Sequence, residues 1–164
     1  MAFYEQHIHP KPTTFLSKYI FSFDHKMIAR QFIWYGILGL GLGGMMAMLI
    51  RWTLSNPGVP FPVLGNLFFP MSGGVVPPDS YAMLFTMHGT IMIFYAITPL
   101  LIGAFGNFCI PLMIGARDMA FPAMNMLSFW LAVLSAIILV ASLFVPLGAA
   151  ASGWTAYPTL STLI

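Results

Sequence analysis

Charge is what this sequence has least of. Of its 164 residues only 6% are Asp, Glu, Lys or Arg, while 59% are hydrophobic; a soluble domain carries about 25% charged residues. A water-soluble globule is excluded. Six basic residues against four acidic ones leave a net charge of +2, and the basic ones are scattered rather than gathered into a stripe. Nothing here would track a phosphate backbone, so nucleic acid is not an expected partner. The single cysteine, Cys109, has no internal disulfide partner and lies in an apolar stretch, where a thiol serves as a small buried hydrophobe. The first thirty residues lack a short apolar core ending in small residues, and Lys and Arg continue up to the first long apolar run. That pattern is not a cleavable signal, and the N-terminus is expected to be retained. No internal repeat is visible.

What the chain does have is long charge-free runs. Gln31 to Ile50 is uncharged over 20 residues, which as a helix reaches about 30 Å, the thickness of the bilayer's hydrocarbon layer. Ser80 to Ala116 is longer than one straight crossing needs, and Pro99 and Pro111 within it suggest a kink followed by an interfacial end. After Asp118 no charge remains, and the best helical stretch there begins at Met124. The expected fold is all-α, a polytopic membrane protein with three transmembrane helices. Its segments are an N-terminal arm at 1–30, helix I at 31–52, an outer loop at 53–80, helix II at 81–115, an inner loop at 116–123, helix III at 124–146 and an outer segment at 147–164. The outer loop holds six prolines between Ser55 and Asp79 together with Gly73 and Gly74, so it cannot be helical throughout.

Orientation follows from Lys and Arg, which accumulate on the cytoplasmic side. With the N-terminus inside, the inner segments hold Lys11, Lys18, Lys26, Arg30 and Arg117 and the outer ones only Arg51, five against one. Arg51 and Asp118 then belong to opposite faces.

Few residues in so apolar a chain carry chemistry. His88 is the one imidazole inside a span, and ionisable groups within a membrane are functional by default. It suits haem iron, because burial in hydrocarbon keeps imidazole neutral; the bland alternative is a histidine satisfied by a carbonyl or hydroxyl of a neighbouring helix. Gly89 beside it admits either a flat ring or a close helix. His7, His9 and His25 fall in the polar arm, out of reach of that depth, and a lone pair such as His7 and His9 makes a poor metal site. Asn125, Ser128, Ser135 and Ser142 are three and seven residues apart, within a strip of roughly 100° on one helix face. That face either contacts another helix or, with Asp118 at the inner mouth and Asn107 near the end of span II, lines a file of water for protons. Arg51 either snorkels to the headgroups or donates to the edge of a cofactor. Gly39 and Gly43, at GxxxG spacing, permit close helix packing or approach of a lipid-like tail. The thirteen methionines are apolar filler.

The run MHGTIMIFYAITPLLIGAFGNFCIPLMIGARDMAFPAMNMLSFWL, from Met87 to Leu131, resembles subunit I of the haem-copper oxidases, the cytochrome c oxidase family. Flanking blocks occur in the family's order: DHKMIARQF, MLIRW, DSYAMLFT and GWTAYPTLS. The resemblance implies that His88 is an axial ligand of the low-spin haem, expected to be haem A, that Arg51 hydrogen-bonds the haem's formyl group, and that Tyr81 lies beside it. Trp154 and Tyr157 fall in a segment near the haem propionates. Asp118 would open the proton pathway called the D-channel, with Asn107, Asn125 and Ser128 along it. The resemblance also implies a high-spin haem and copper, held only by the complete subunit, and as partners the remainder of subunit I, subunits II and III, and cytochrome c through subunit II, in a bacterial cytoplasmic membrane.

Three departures stand out. Ala123 replaces an arginine usual after DMAFP, Thr159 interrupts YPPL, and Thr53 replaces a carboxylate that in some members helps bind calcium or sodium, so no such cation site is expected. The family's subunit has about twelve spans, and three are legible here. The expectation is therefore an N-terminal part, fragment or split product, of an oxidase that passes electrons from cytochrome c to oxygen and couples them to proton translocation, inactive in oxygen reduction by itself. A quinol oxidase of the same family and a non-enzymatic three-helix assembly subunit are the alternatives.

Overall fold

The computed structural model describes residues 13–145, 148–158 and 161. His7, His9, Glu5, Lys11 and the Thr159 and Leu160 departure lie outside the described residues. Among the described residues there is no strand, and three helices are long and apolar enough to cross a membrane: α1 (His25–Ser55), α2 (Pro78–Met113) and α3 (Pro122–Ser142). The chain is an all-α, polytopic membrane protein.

Helix α1 starts six residues before the charge-free run. The Asp24 carboxylate accepts the Lys26 amide at 3.0 Å, and its carbonyl accepts the amides of Met27 and Ile28. This caps the helix and places a negative charge at the positive end of its dipole. The charge-free run therefore marks only part of the helix, whose 31 residues, at ~1.5 Å each, exceed the hydrocarbon thickness. His25 is corrected likewise. It is the first residue of α1, only 2% exposed, and no part of a loose arm.

Helix α2 begins with Pro78 at its first position and Asp79 in its first turn, both favoured where amides lack partners. It winds as an ordinary helix to Thr90. From Ile91 to Ile97 and from Pro99 to Gly106 it widens to i→i+5 hydrogen bonding, then tightens again over Asn107–Met113. At Pro99, where a kink is expected, the helix continues without a break and its ladder is widened. Proline has no N–H for the carbonyl four residues back, and a widened ladder offers that carbonyl the next amide along. The Thr98 hydroxyl also donates to the Ile93 carbonyl, five residues back, at 2.7 Å. Helix α3 opens on Pro122.

A glycine seam joins α1 to α2. A methyl at Gly39 would overlap the Tyr95 carbonyl, one at Gly36 would come within 2.5 Å of Leu100 Cγ, and one at Gly43 within 2.7 Å of Met92 Sδ. From the other side, a methyl at Gly103 would come within 2.5 Å of the Phe32 ring. Close packing is thus the use made of the Gly39 and Gly43 pair. Lipid gives no hydrophobic reason for helices to associate, and backbone approach of this kind supplies the dispersion contact that does. Buried side chains gather in two clusters, one toward the C-terminal end of α1, called outer after the expected orientation (Met46, Leu49, Leu84, Met87, Ile91), and one toward its N-terminal end, called inner (Ile28, Phe32, Ala104, Met126, Phe129). Helix α3 meets α1 through the Phe32–Phe129 edge contact at 5.1 Å and a Tyr35 hydroxyl that donates to the Ala132 carbonyl at 2.8 Å. An apolar cleft of about 600 Å³ remains between α1, α2 and the outer half of α3.

Candidate functional site

The candidate residues fall into two groups at opposite ends of α2. At the outer end, His88 lies on the face turned to α1. Its Nδ1 is 2.9 Å from the Gly43 carbonyl oxygen. A carbonyl only accepts, so Nδ1 carries the proton and donates, which leaves Nε2 as the ring nitrogen with a free lone pair. Metal-binding imidazoles are held in just this way, the second N–H spent on a carbonyl that fixes the tautomer and the ring. The glycine at 43 matters for the approach, since Met92 fills the space a larger residue would need.

Tyr81 sits seven residues before His88 and so on the same helix face; it is half-buried and its ring is 6.1 Å from that of Phe85. Trp154 is 49% exposed and lies across Gly89, where a methyl would come within 2.8 Å of the indole Cδ1. The flat ring that Gly89 admits in this fold is therefore the protein's own. Phe94 meets the same indole edge-on at 6.2 Å. Arg51 is exposed on the last turns of α1, about 12 Å along the axis from Gly43 at ~1.5 Å per residue. The structure brings His88 and Trp154 to one stretch of α2, and both Tyr81 and Arg51 lie about 10–12 Å farther along the axis at ~1.5 Å per residue.

At the inner end, Asp118 is held by a residue that the sequence pattern assigns to the polar arm. His25 Nδ1 donates to Asp118 Oδ1 at 3.2 Å, and the same oxygen accepts the Met119 amide at 2.7 Å. The carboxylate is 10% exposed, and Asp24 Oδ1 lies 3.7 Å from the same imidazole nitrogen. His25 Nε2 is buried with no hydrogen-bond partner among the described residues. The signal that could have found this pair is topological. An even number of crossings returns the loop after α2 to the side where α1 starts, so the only inner imidazole near a span and the only inner-loop carboxylate meet there.

Asn107 is 7% exposed and its amide donates to the Gly103 carbonyl at 2.7 Å. Asn125 is half-buried, and its Nδ2 is buried without a partner among the described residues. Ser128 donates to the Asn125 carbonyl at 2.7 Å, and Ser135 and Ser142 likewise donate three residues back, to Ala132 and Leu139. Each hydroxyl thus closes on its own helix, and that of Ser135 also lies against the Tyr35 hydroxyl of α1, while Ser128 is exposed. Among the described residues no three His, Cys, Asp or Glu side chains form a metal-binding group.

Comparison with known proteins adds an independent line. Residues 27–164 match the family described as cytochrome c and quinol oxidase polypeptide I. The chain is similar to the alternative cytochrome c oxidase subunit 1 of Bradyrhizobium diazoefficiens, 38% identical over 152 residues, which are 93% of this chain and 24% of that protein. It is 40% identical over 155 residues to cytochrome c oxidase subunit 1 of Thermostichus vulcanus, 94% of this chain and 25% of the relative. To the Synechocystis subunit it is 41% identical over 145 residues, 88% of this chain and 23% of the relative. The chain spans about a quarter of the length of the curated relatives it matches.

Proposed function

The chain belongs to the cytochrome c and quinol oxidase polypeptide I family, and from that premise we propose that it supplies one axial ligand of a low-spin haem and the proton-uptake mouth of a terminal oxidase. That oxidase passes electrons from cytochrome c to oxygen and couples the transfer to proton translocation. The observation that carries the reading is the His88–Gly43 hydrogen bond, which leaves Nε2 with a lone pair to offer. The same bond would satisfy a histidine that only joins two helices, and membership of the oxidase family is what favours the ligand reading.

In this reading His88 Nε2 would hold the iron of a haem A, with Gly43 keeping the ring from turning. Haem, when bound, would supply the electron-accepting centre. The guanidinium of Arg51 would bring positive charge and a hydrogen bond toward it, favouring the reduced state, and Tyr81 and Trp154 would lie beside it. At the inner face the Asp118 carboxylate collects protons. His25 shares the oxygen through Nδ1 and has a second, buried ring nitrogen for which water is the natural partner. Asn107, Asn125 and Ser128 continue the polar path. The rest of subunit I, with the high-spin haem and copper, and subunits II and III are the partners. Cytochrome c delivers electrons through subunit II, and the N-terminus faces the cytoplasm of a bacterial membrane. That the relatives are cytochrome c oxidases favours cytochrome c over quinol as donor.

The test is His88→Ala in the assembled oxidase. The low-spin haem band should vanish from the visible spectrum of the purified complex, and an unaltered spectrum would refute the ligand assignment.

A further inference from the structure

Residues 148–154 fold back along the outer end of α2 and are held by backbone amides. The Ala149 amide lies 3.3 Å from Met83 Sδ, and the Gly153 amide donates to the Thr86 hydroxyl at 3.0 Å. Thr86 is 3% exposed, and its own proton goes to the Ala82 carbonyl at 2.8 Å. Its oxygen is thus both donor and acceptor at a buried junction. Gly153 has φ +80°, a conformation open to glycine, and the next residue is Trp154 across Gly89. Met83, Thr86 and Gly89 recur every three residues along one stripe of the helix. His88 lies roughly 100° round from Gly89 and is bonded to α1. The turn of α2 that carries His88 is therefore gripped on two sides.

We propose that Thr86 is a positioning residue, which by accepting the Gly153 N–H seats the Trp154 indole on Gly89 and fixes its register against His88. Valine at 86 would fill the same space and pack as well, yet it would leave the Gly153 N–H without an acceptor, a cost that loosens the segment. The proposal rests on the reading of His88 as haem ligand for its spectral consequence, while the clamp itself is independent of haem.

The test uses the assembled oxidase with Thr86→Val, Thr86→Ser, Trp154→Phe and the Thr86→Val/Trp154→Phe pair. In Thr86→Val, hydrogen exchange of a peptide containing the Gly153 amide should speed up about tenfold, and Thr86→Ser should restore it. The low-spin haem band should shift in Thr86→Val in the same direction as in Trp154→Phe, and no further in the double variant. Unchanged exchange in Thr86→Val, or band shifts that add in the double variant, would overturn the proposal. If Thr86→Val does not assemble, Gly89→Ala carries the test, since its methyl displaces the indole without touching the hydroxyl. The band must then move as in Trp154→Phe while Gly153 exchange stays slow, and an unmoved band overturns the proposal. Failure of the His88 reading is recognised separately, because His88→Ala would then leave the band in place while the exchange result still decides the clamp.

Discussion

The glycine seam makes a prediction in which one chemical change has two different outcomes. Replacing a helical glycine by alanine removes glycine's excess backbone entropy, a gain of roughly 0.5–1 kcal/mol, while inserting a methyl into a packed contact costs typically ~1–3 kcal/mol. At Gly39 the atoms met are all backbone: the Tyr95 carbonyl oxygen and carbon, and the Ala96 nitrogen at 3.2 Å. None can move without shifting α2. At Gly43 the atoms met are Met92 Sδ and Cγ and, at 3.4 Å, Ile91 Cγ2; an unbranched thioether can turn aside. Gly39→Ala should therefore destabilise the helix pair by about 1–2 kcal/mol, and Gly43→Ala should stay within about 0.5 kcal/mol of wild type. A shift of α1 that relieves the overlap at Gly39 also carries the Gly43 carbonyl, one turn on, away from His88 Nδ1. Gly39→Ala should then weaken the low-spin haem band as well. Thermal melting followed by far-ultraviolet circular dichroism reads the stability without reference to haem. If Gly39→Ala melts no lower than Gly43→Ala, the seam is not the rigid backbone contact described here.

At the inner face, His25→Ala removes one donor from a nearly buried carboxylate, which should cost about 1.5–3 kcal/mol and slow proton uptake measured by flow-flash kinetics; uptake at the wild-type rate would remove His25 from the path. Asp118→Asn should abolish proton pumping in reconstituted vesicles and slow turnover, and normal pumping would refute the proton-mouth reading. Tyr35→Phe deletes the hydrogen bond from α1 to the Ala132 carbonyl while keeping the ring against Phe129. It should lower stability by about 1 kcal/mol with the visible spectrum unchanged, and a change in the low-spin haem band would show that α3 reaches the outer site.

The helices are legible because hydrocarbon admits so few alternatives. A charge-free run of membrane length is nearly always a helix, since only a helix satisfies its own backbone there. Their ends are less legible. The start of α1 is set by the Asp24 cap, which sits among charged residues, and a count of charges reads that neighbourhood as loop. Pro99 is legible as a disturbance, but a proline's missing N–H can be met by a kink or by a wider ladder, and the choice depends on the helix packed beside it. His88 stands out as the one imidazole inside a span. His25 does not, because its partner lies 93 residues away and nothing local distinguishes it from a residue of a polar arm. The serine row is legible in part. Its spacing suggests a helix contact or a water file, and within this chain Ser135 meets Tyr35 of α1 while Ser128 and Ser142 turn back on their own carbonyls, which spacing alone does not reveal.

Helix α2 carries the outer candidate site and leads to the inner one, and each stretch of it is held by a different kind of force. The ends lie where water approaches, and there the holding contacts are polar: His88 to Gly43 and Thr86 to Gly153 outside, and inside the Asn107 amide on Gly103 with the His25–Asp118 pair just beyond the helix. Across the middle the glycine seam does the holding, through backbone contact. A hydrogen bond broken at one end frees a side chain and is felt within a turn or so. A methyl added at Gly39 has nowhere to go except into a displacement of one whole helix against the other. Disturbance at Thr86 should then stay with the outer site and disturbance at Asp118 with the inner one, whereas disturbance at Gly39 should reach both. The widened turns from Ile91 to Gly106 lie between the two sites, so the angle about the axis between the His88 face and the Asn107 face is set by how many turns stay wide.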